Sequence, residues 1–521
     1  MAVQRQRILW VDDEIDLLRP HILYLEGKGY QVTALSNGFD ALELAEREEF
    51  DLVLLDEMMP GLGGLSVLET LKERHPGLPV IMITKSEEEH LMNEALGRKI
   101  DDYLIKPVNA SQIFLACKKL FEARSLERGT SVRQYVRELG RGRGAPLDRF
   151  DWTGWTEAWR RAARWDLELE AIEETGLRDA HRAQVEELNR HFGRFVTAGY
   201  AEWLAARAGR PLLSHEIVPE RIVPLLGAGR RAALIVIDCL RMDQWLVFEP
   251  VLAEEFRVAT EAACSILPTA TPYSRNAIFS GILPRDLARQ YPDFWREAQG
   301  EEGETSKNRF ERELLARLLA RHGIAEQRIQ YMKIVTRQDA EDLGRRAATL
   351  HDCDLVALVF TFVDTFTHGR GRDAIVAEFA HDVNALRAHL RTWFEHSALR
   401  AAIREMGRQG RTVVVATDHG NIQVRRPAQV RADRHASTGI RFKVGKALRA
   451  DSEQVMLVKE PQSHGLPAGA LMKTYLFARE DYFLVYPTHQ HSYERMLRDS
   501  FQHGGISLEE MVVPLAVLQP S

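Results

Sequence analysis

Short apolar runs recur along the first part of the chain, and each is closed by a polar residue. Ile8-Leu9-Trp10-Val11 leads into Asp12, Leu52-Val53-Leu54-Leu55 into Asp56, Val80-Ile81-Met82-Ile83 into Thr84, and Asp102-Tyr103-Leu104-Ile105 into Lys106-Pro107. Between them, Leu17 to Gly27 and Gly64 to Arg74 carry apolar residues at three- and four-residue spacing, the period of a helix with one buried face. Continuous apolar strands alternating with such helices predict a doubly wound parallel sheet. Ligands of such sheets gather at the carboxyl ends of the strands, and that is where these polar residues fall.

From Ser125 to Leu226 the alternation stops and helical spacing takes over. Arg141-Gly142-Arg143-Gly144-Ala145-Pro146 is a turn-rich break. After it, Trp152, Trp155 and Trp159 recur on one helical face. Such a stripe can stack bases, but burial against neighbouring helices is the simpler account, and a small helical bundle joining two α/β domains is expected. Strand–helix alternation resumes at Arg230. Ala232 to Ile237 ends in Asp238, Leu355 to Phe362 precedes Asp364 and His368, and Thr412 to Ala416 precedes Thr417-Asp418-His419. A Pro268-Thr269-Ala270-Thr271-Pro272 turn and a late His503-Gly504-Gly505 complete the pattern. The expected division is an α/β domain over 1–124, helices over 125–226 and a second α/β domain over 227–521.

Composition narrows the setting. The 521 residues have room for three to four domains of ~150 residues. A net charge of −6 argues against coating nucleic acid or anionic membrane by bulk charge. No stretch approaches the ~20 apolar residues of a membrane span, and the N-terminus runs into a strand without a signal-peptide core. Cys117, Cys239, Cys264 and Cys353 have no CxxC spacing, which suits reduced thiols. A cytoplasmic protein without membrane attachment is expected.

The clustered carboxylates Asp12, Asp13 and Asp56 would repel one another without a hard divalent cation, and oxygen ligands suit Mg²⁺. A lysine and a hydroxyl beside the same ion would hold phosphoryl oxygens on Asp56. These residues, with Met58-Met59-Pro60-Gly61 after Asp56, resemble the receiver domains of two-component response regulators over about residues 5–122. The resemblance implies a CheY-like (flavodoxin-like) fold with Asp56 as phosphoacceptor. It also implies Mg²⁺ at Asp12, Asp13, Asp56 and the Glu57 carbonyl, phosphate-sensing Thr84 and Lys106, and Tyr103 as a switch aromatic.

In the C-terminal part, strand ends and turns repeatedly present Asp, His or Thr. Asp and His are ligands that Zn²⁺ accepts when no thiolate is at hand, and this many candidates suit two ions rather than one. Two metals can clamp the attacking and leaving oxygens of a phosphoryl transfer, and coordination activates a threonine hydroxyl. The order of the pieces resembles the PglZ branch of the alkaline phosphatase superfamily over about 226–521. By that resemblance Asp238, Thr271, Asp418 and His419 surround one zinc, and Asp364, His368 and His503 the other. The Pro-Thr-x-Thr-Pro turn, with Ser280-Gly281 after it, resembles the nucleophile segment of nucleotide pyrophosphatases. That implies attack by Thr271, with Thr269 as the alternative.

A receiver, a helical middle and a PglZ domain in one chain resemble PorX-type response regulators. The resemblance implies a cytoplasmic partner of a sensor histidine kinase, linked to gene regulation and type IX secretion. It further implies a zinc phosphodiesterase acting on cyclic or linear oligonucleotides. Receiver domains generally dimerise through their last strand–helix face, so a homodimer on phosphorylation is expected. Arg275 and Asn276 are candidate phosphoryl ligands by position. In the basic stretch 425–443, Arg441 and Lys443 are candidates for distal phosphates, against a default of solvated surface. The competing function is an adaptor whose metal domain binds a sigma factor or secretion component, with incidental hydrolysis. A phosphomutase of the same superfamily would need a sugar-phosphate pocket, for which no motif is found.

Overall fold

The computed structural model describes residues 6–84, 100–121, 147–170, 175–206, 208–295, 308–324, 329–346, 350, 352–369, 383–433, 436–437, 439–468, 473–487 and 490–520. The chain divides into two compact units, Met1–Arg143 and Gly144–Ser521.

In the first unit, β1 (Arg7–Val11), α1 (Arg19–Gly27), β2 (Gln31–Leu35), α2 (Gly38–Arg47), β3 (Leu52–Asp56), α3 (Gly64–Arg74), β4 (Val80–Thr84) and β5 (Asp102–Ile105) alternate as expected. The strands pair in parallel in the order β2-β1-β3-β4-β5, the CheY-like arrangement. Ile8, Trp10, Leu52 and Leu54 pack on one face of the sheet and Leu9, Val11, Val53 and Leu55 on the other. Helices cover both faces, which is why β1, β3 and β4 read as unbroken apolar runs. At the start of α3 a Cβ on Gly64 would meet the Asp56 carbonyl oxygen at 2.1 Å, so only glycine lets the helix begin this close to the end of β3.

The second unit opens with two long helices, α4 (Trp152–Glu170) and α5 (Thr175–Ala205). Its sheet runs β7-β18-β10-β6-β9-β8, built from β6 (Ala232–Ile237), β7 (Phe256–Cys264), β8 (Ile329–Ile334), β9 (Leu355–Phe360), β10 (Thr412–Ala416) and β18 (Val512–Pro520). β18 is antiparallel to both its neighbours, and the other pairings are parallel. Helices α6 (Met242–Ala253), α7 (Thr271–Ser280), α8 (Glu311–Arg321), α9 (Phe362–Gly369) and α10 (Val383–Glu395) connect these strands. After β10 the chain inserts smaller sheets. β11 (Ile422–Gln423) pairs with β17 (Phe501–Gln502), β12 (Arg426–Gln429) with β16 (Tyr482–Val485), and β15 (Thr474–Ala478) lies between β13 (Phe442–Gly445) and β14 (Val455–Val458).

Of the helical middle expected over 125–226, the described residues contain α4 and α5. Trp155 and Trp159 of α4 and Phe192 and Tyr200 of α5 share one core with Ile235, Trp245 and Phe360. The tryptophan stripe is burial, not a base-stacking platform, and it makes these helices a layer of the C-terminal unit. The turn at 141–146 lies outside the described residues.

Candidate phosphoacceptor site and candidate metal centre

Asp12 and Asp56 are buried at the ends of adjacent strands β1 and β3, and Asp13 is exposed beside them. Their carboxylate oxygens lie within 4.8 Å of one another. Lys106, on the turn after β5, reaches Asp56 Oδ1 at 2.7 Å and Asp12 Oδ2 at 3.0 Å. Burial is the largest influence on Asp56 and pushes its carboxyl above the usual range. The Lys106 hydrogen bond opposes that rise, and Asp12 adds to it. Three carboxylates against one ammonium leave room and charge for a hard cation, and the all-oxygen donor set fits Mg²⁺. The Glu57 carbonyl accepts the Gly64 N–H at 3.0 Å, which leaves its second lone pair for such an ion. Thr84 is buried at the end of β4, and Tyr103 on edge strand β5 is 39% exposed.

In the second unit the carboxyl ends of the central strands converge. Asp238 follows β6, Asp418 and His419 follow β10, and a group of ligand atoms from these three lies within 4.8 Å of one another, fully buried. Thr271 opens α7 with its hydroxyl 3.0 Å from His419 Nε2 and 3.5 Å from Asp238 Oδ1. Backbone amides aim these groups. Asp418 Oδ1 accepts from the N–H of Cys239 at 3.2 Å and of His419 at 3.0 Å, and its Oδ2 is buried with no hydrogen-bond donor. The turn that delivers the Cys239 amide has φ +66°, a left-handed conformation costly for a non-glycine residue. His419 Nδ1 faces the Gly420 carbonyl at 3.0 Å, which presents Nε2 to the cluster. A Cβ on Gly420 would sit 1.9 Å from the Glu509 carbonyl oxygen, so this turn requires glycine. A carboxylate oxygen without a donor beside an imidazole nitrogen and two further oxygens is a donor set that fits Zn²⁺.

His503 stacks on His419 with ring centroids 4.1 Å apart, and its Nε2 lies 3.9 Å from Asp364 Oδ1 on α9. Its Nδ1 is 3.1 Å from the Thr269 carbonyl. Asp364 and His503 therefore face one another beside the first cluster. His368 is on α9 one turn past Asp364, and its side chain lies outside the described residues. Thr269 is turned away from the cluster. Its hydroxyl donates to the Gly505 carbonyl at 2.9 Å and accepts the Gly504 N–H at 3.0 Å, which ties down the loop bearing His503.

The four candidate phosphate ligands have other partners. Arg275 is buried, bonded directly to Asp238 and at 2.6 Å to Glu311, with Asp418 Oδ2 at 3.7 Å. Burial disfavours its charge, but Asp238 and Glu311 outweigh that and hold it firmly cationic. The Asn276 amide donates to the Pro272 carbonyl at 2.9 Å and accepts from Asn308 at 3.3 Å. Arg441 is fully buried, with its guanidinium bonded to Glu510 at 2.6 Å and to the Tyr482 carbonyl. Glu510 in turn accepts the Gly505 N–H at 2.8 Å, so Arg441 braces the His503 loop. Lys443 is also buried. It donates to the Gly439 carbonyl at 3.0 Å and lies 4.4 Å from the Tyr486 ring centroid.

Three residues of this network have no signal in the sequence. Glu311, at the start of α8, joins Arg275, the Asn308 amide at 3.1 Å and the Tyr331 hydroxyl. In sequence it is one acid among several in an amphipathic helix. Asn308 reaches the Thr271 carbonyl at 3.3 Å. Glu510 stands three residues after Ser507, a spacing that reads only as a helix cap.

Strand order and site together define a CheY-like receiver domain joined to an alkaline phosphatase-like domain, and comparison with known proteins agrees. The family model of the BREX system PglZ alkaline phosphatase-like domain matches residues 217–518, more than half of the chain. The response regulator receiver domain matches 8–118, and the PorX response regulator linker domain matches 129–204. The chain belongs to the PglZ alkaline phosphatase-like family, with the domain composition of a PorX-type response regulator. Among curated relatives, transcriptional regulatory protein ResD of Bacillus subtilis is 34% identical over 119 residues, covering 23% of this chain and 49% of ResD. Transcriptional regulatory protein SrrA of Staphylococcus aureus is 37% identical over 113 residues, covering 22% of this chain and 46% of SrrA. The chain thus spans about half the length of the curated relatives it matches. A CheY-like response regulator receiver domain protein from Methanospirillum hungatei is 31% identical, covering 24% of this chain and 99% of that one, with a TM-score of 0.23.

Proposed function

We propose that this protein is a two-component response regulator whose output is a two-zinc phosphodiesterase acting on linear or cyclic oligonucleotides, in the cytoplasm. A sensor histidine kinase transfers a phosphoryl group to Asp56, and Asp12, Asp13, Asp56 and the Glu57 carbonyl would hold a Mg²⁺ that supplies positive charge to the phosphoryl oxygens. Thr84 and Lys106 then hold the phosphoryl oxygens, and Tyr103 follows. In the effector, Asp238, Thr271, Asp418 and His419 would hold one zinc, and Asp364, His368 and His503 the other. The ions, when bound, supply the positive charge that acidifies the threonine hydroxyl and polarises the phosphodiester. Thr271 Oγ attacks phosphorus, the bond to the leaving nucleoside oxygen breaks, and water then hydrolyses the phosphothreonine to restore the hydroxyl. The backbone amides on Asp418 Oδ1 and the carbonyls facing the two imidazoles keep the ligand set aimed throughout.

One observation carries this reading: a buried hydroxyl, Thr271 Oγ, stands beside a buried cluster of Asp238, Asp418 and His419 in which Asp418 Oδ2 has no hydrogen-bond donor. An adaptor has no physical need for such a constellation. Elemental analysis of gently purified full-length protein should give close to two zinc per chain, together with hydrolysis of bis-p-nitrophenyl phosphate. Under one zinc per chain, or metal without turnover, would defeat the catalytic reading and favour the adaptor for a sigma factor or secretion component. A His503→Ala chain should lose one zinc and still accept phosphate at Asp56.

A further inference from the structure

With Arg441 and Lys443 buried, the effector needs another group to hold a chain longer than one diester. The insertion supplies it. Arg431 and Arg449 exchange both backbone hydrogen bonds, each at 2.9 Å, in an antiparallel bridge. Residues paired in this way stand directly opposite with their side chains on one face, Cβ atoms ~5 Å apart. Both side chains are exposed, and neither guanidinium has an ion-pair partner among the described residues. Like charges in that register are destabilising, so two bare arginines there are a cost unless an anion joins them. They line a concavity of about 560 Å³ with Gln429 and Gln454, whose amides add hydrogen-bonding capacity, and with Pro487. The one acidic side chain in the lining, Asp451, has an oxygen engaged by the Glu453 N–H at 3.0 Å. The concavity therefore keeps a positive excess.

We propose that Arg431 and Arg449 form a second, non-catalytic phosphate site that grips the backbone of a single-stranded oligonucleotide. The inference rests on the diesterase reading of the metal centre. Two forked guanidiniums facing one another suit the two non-bridging oxygens of a diester, each by a bidentate contact. The grip is blind to base identity, because a phosphate contact positions a strand without reading its sequence.

The test uses the full-length chain carrying Thr271→Val to prevent cleavage, and follows a fluorescein-labelled single-stranded decamer by anisotropy. Arg431→Ala/Arg449→Ala should weaken binding at least tenfold. It should also reduce the slope of log K against log salt by about 0.7 for each phosphate released. Arg431→Lys/Arg449→Lys, which keeps charge and loses the fork, should restore part of the affinity. In the chain with Thr271 intact, the double alanine variant should hydrolyse bis-p-nitrophenyl phosphate within twofold of the unaltered rate, since that substrate has no second phosphate. Equal decamer affinity in the double alanine variant overturns the site, as does a chain that binds no decamer at all. Inorganic phosphate displacing the decamer at lower concentration than a competing unlabelled strand would assign the pair to free phosphate and overturn the oligonucleotide. Retained, arginine-dependent decamer binding without diester hydrolysis would instead sink the catalytic reading and leave the site standing.

Discussion

Thr269 and Thr271 sit two residues apart with the same hydroxyl, and the fold gives them unlike partners. Thr271 faces His419 and Asp238, whereas Thr269 is spent on the backbone of Gly504 and Gly505. Thr271→Val should leave stability within about 1 kcal/mol and lower the diesterase rate by roughly a thousandfold, at ~1.4 kcal/mol of barrier per tenfold. Thr269→Val should do the reverse. It strands a buried N–H and carbonyl at a cost of about 1–3 kcal/mol, with a smaller loss of rate through the His503 loop. Parallel urea titrations and bis-p-nitrophenyl phosphate rates check both, and a Thr271→Val chain that keeps most of its activity would reassign the nucleophile. Lys443 has its own signature. Burial lowers its pKa to about 8, against ~10.4 for an exposed lysine. Between those values the unfolded chain binds more protons than the folded one, so this group adds stability as pH rises from 8 to 10 and withholds it below 8. A Lys443→Met chain should lack that rise, a relative difference of at most roughly 3 kcal/mol, read from denaturation midpoints across the interval.

Among the elements, a buried ion network ties α4 to α6, the helix just beyond Asp238. Arg387 on α10 donates to Asp243 at 2.8 Å and to Glu170 at 2.9 Å, and it also pairs with Asp166. Asp243 takes a second cation, Arg241, at 2.7 Å. Arg387→Met should cost about 3 kcal/mol, since removing one partner leaves a buried carboxylate undercompensated. Asp243→Asn in the same chain should return part of that loss in urea titrations, and no recovery would mean that Arg387 acts through packing alone. Elements of this kind were unevenly legible in sequence. β1, β3, β4, β6, β9 and β10 are central strands buried on both faces, so each reads as an apolar run and delivers its Asp or Thr at a known end. β2, an edge strand with a half-exposed pattern, has no such run, and neither do the short pairs of the insertion. Arg441 misled because a long cation reads as surface. Its burial depends on Glu510, a partner 69 positions away that no local pattern reveals.

At the scale of the whole molecule, a receiver domain and an alkaline phosphatase-like domain share one chain, which makes sense if one governs the other. The receiver exposes Tyr103 and Ile105 on β5 and Leu115 on the helical stretch 110–121, an apolar face of the kind on which receivers pair. Lys106 bridges Asp12 and Asp56 at the end of that same strand, so a phosphoryl group on Asp56 must change the Lys106 contacts and, through the turn, the face itself. The expected result is a shift from monomer to two-fold dimer on phosphorylation, with a rise in diesterase rate. No helix among the described residues is long and apolar enough to cross a membrane. Sedimentation velocity and bis-p-nitrophenyl phosphate turnover, before and after beryllofluoride or acetyl phosphate, measure the two changes together, and Asp56→Asn should abolish both. Dimerisation without a change in rate would confine the switch to assembly. An unchanged mass and rate would mean that the receiver and the effector are merely tethered, and the adaptor reading would then have to explain why the phosphoacceptor is there.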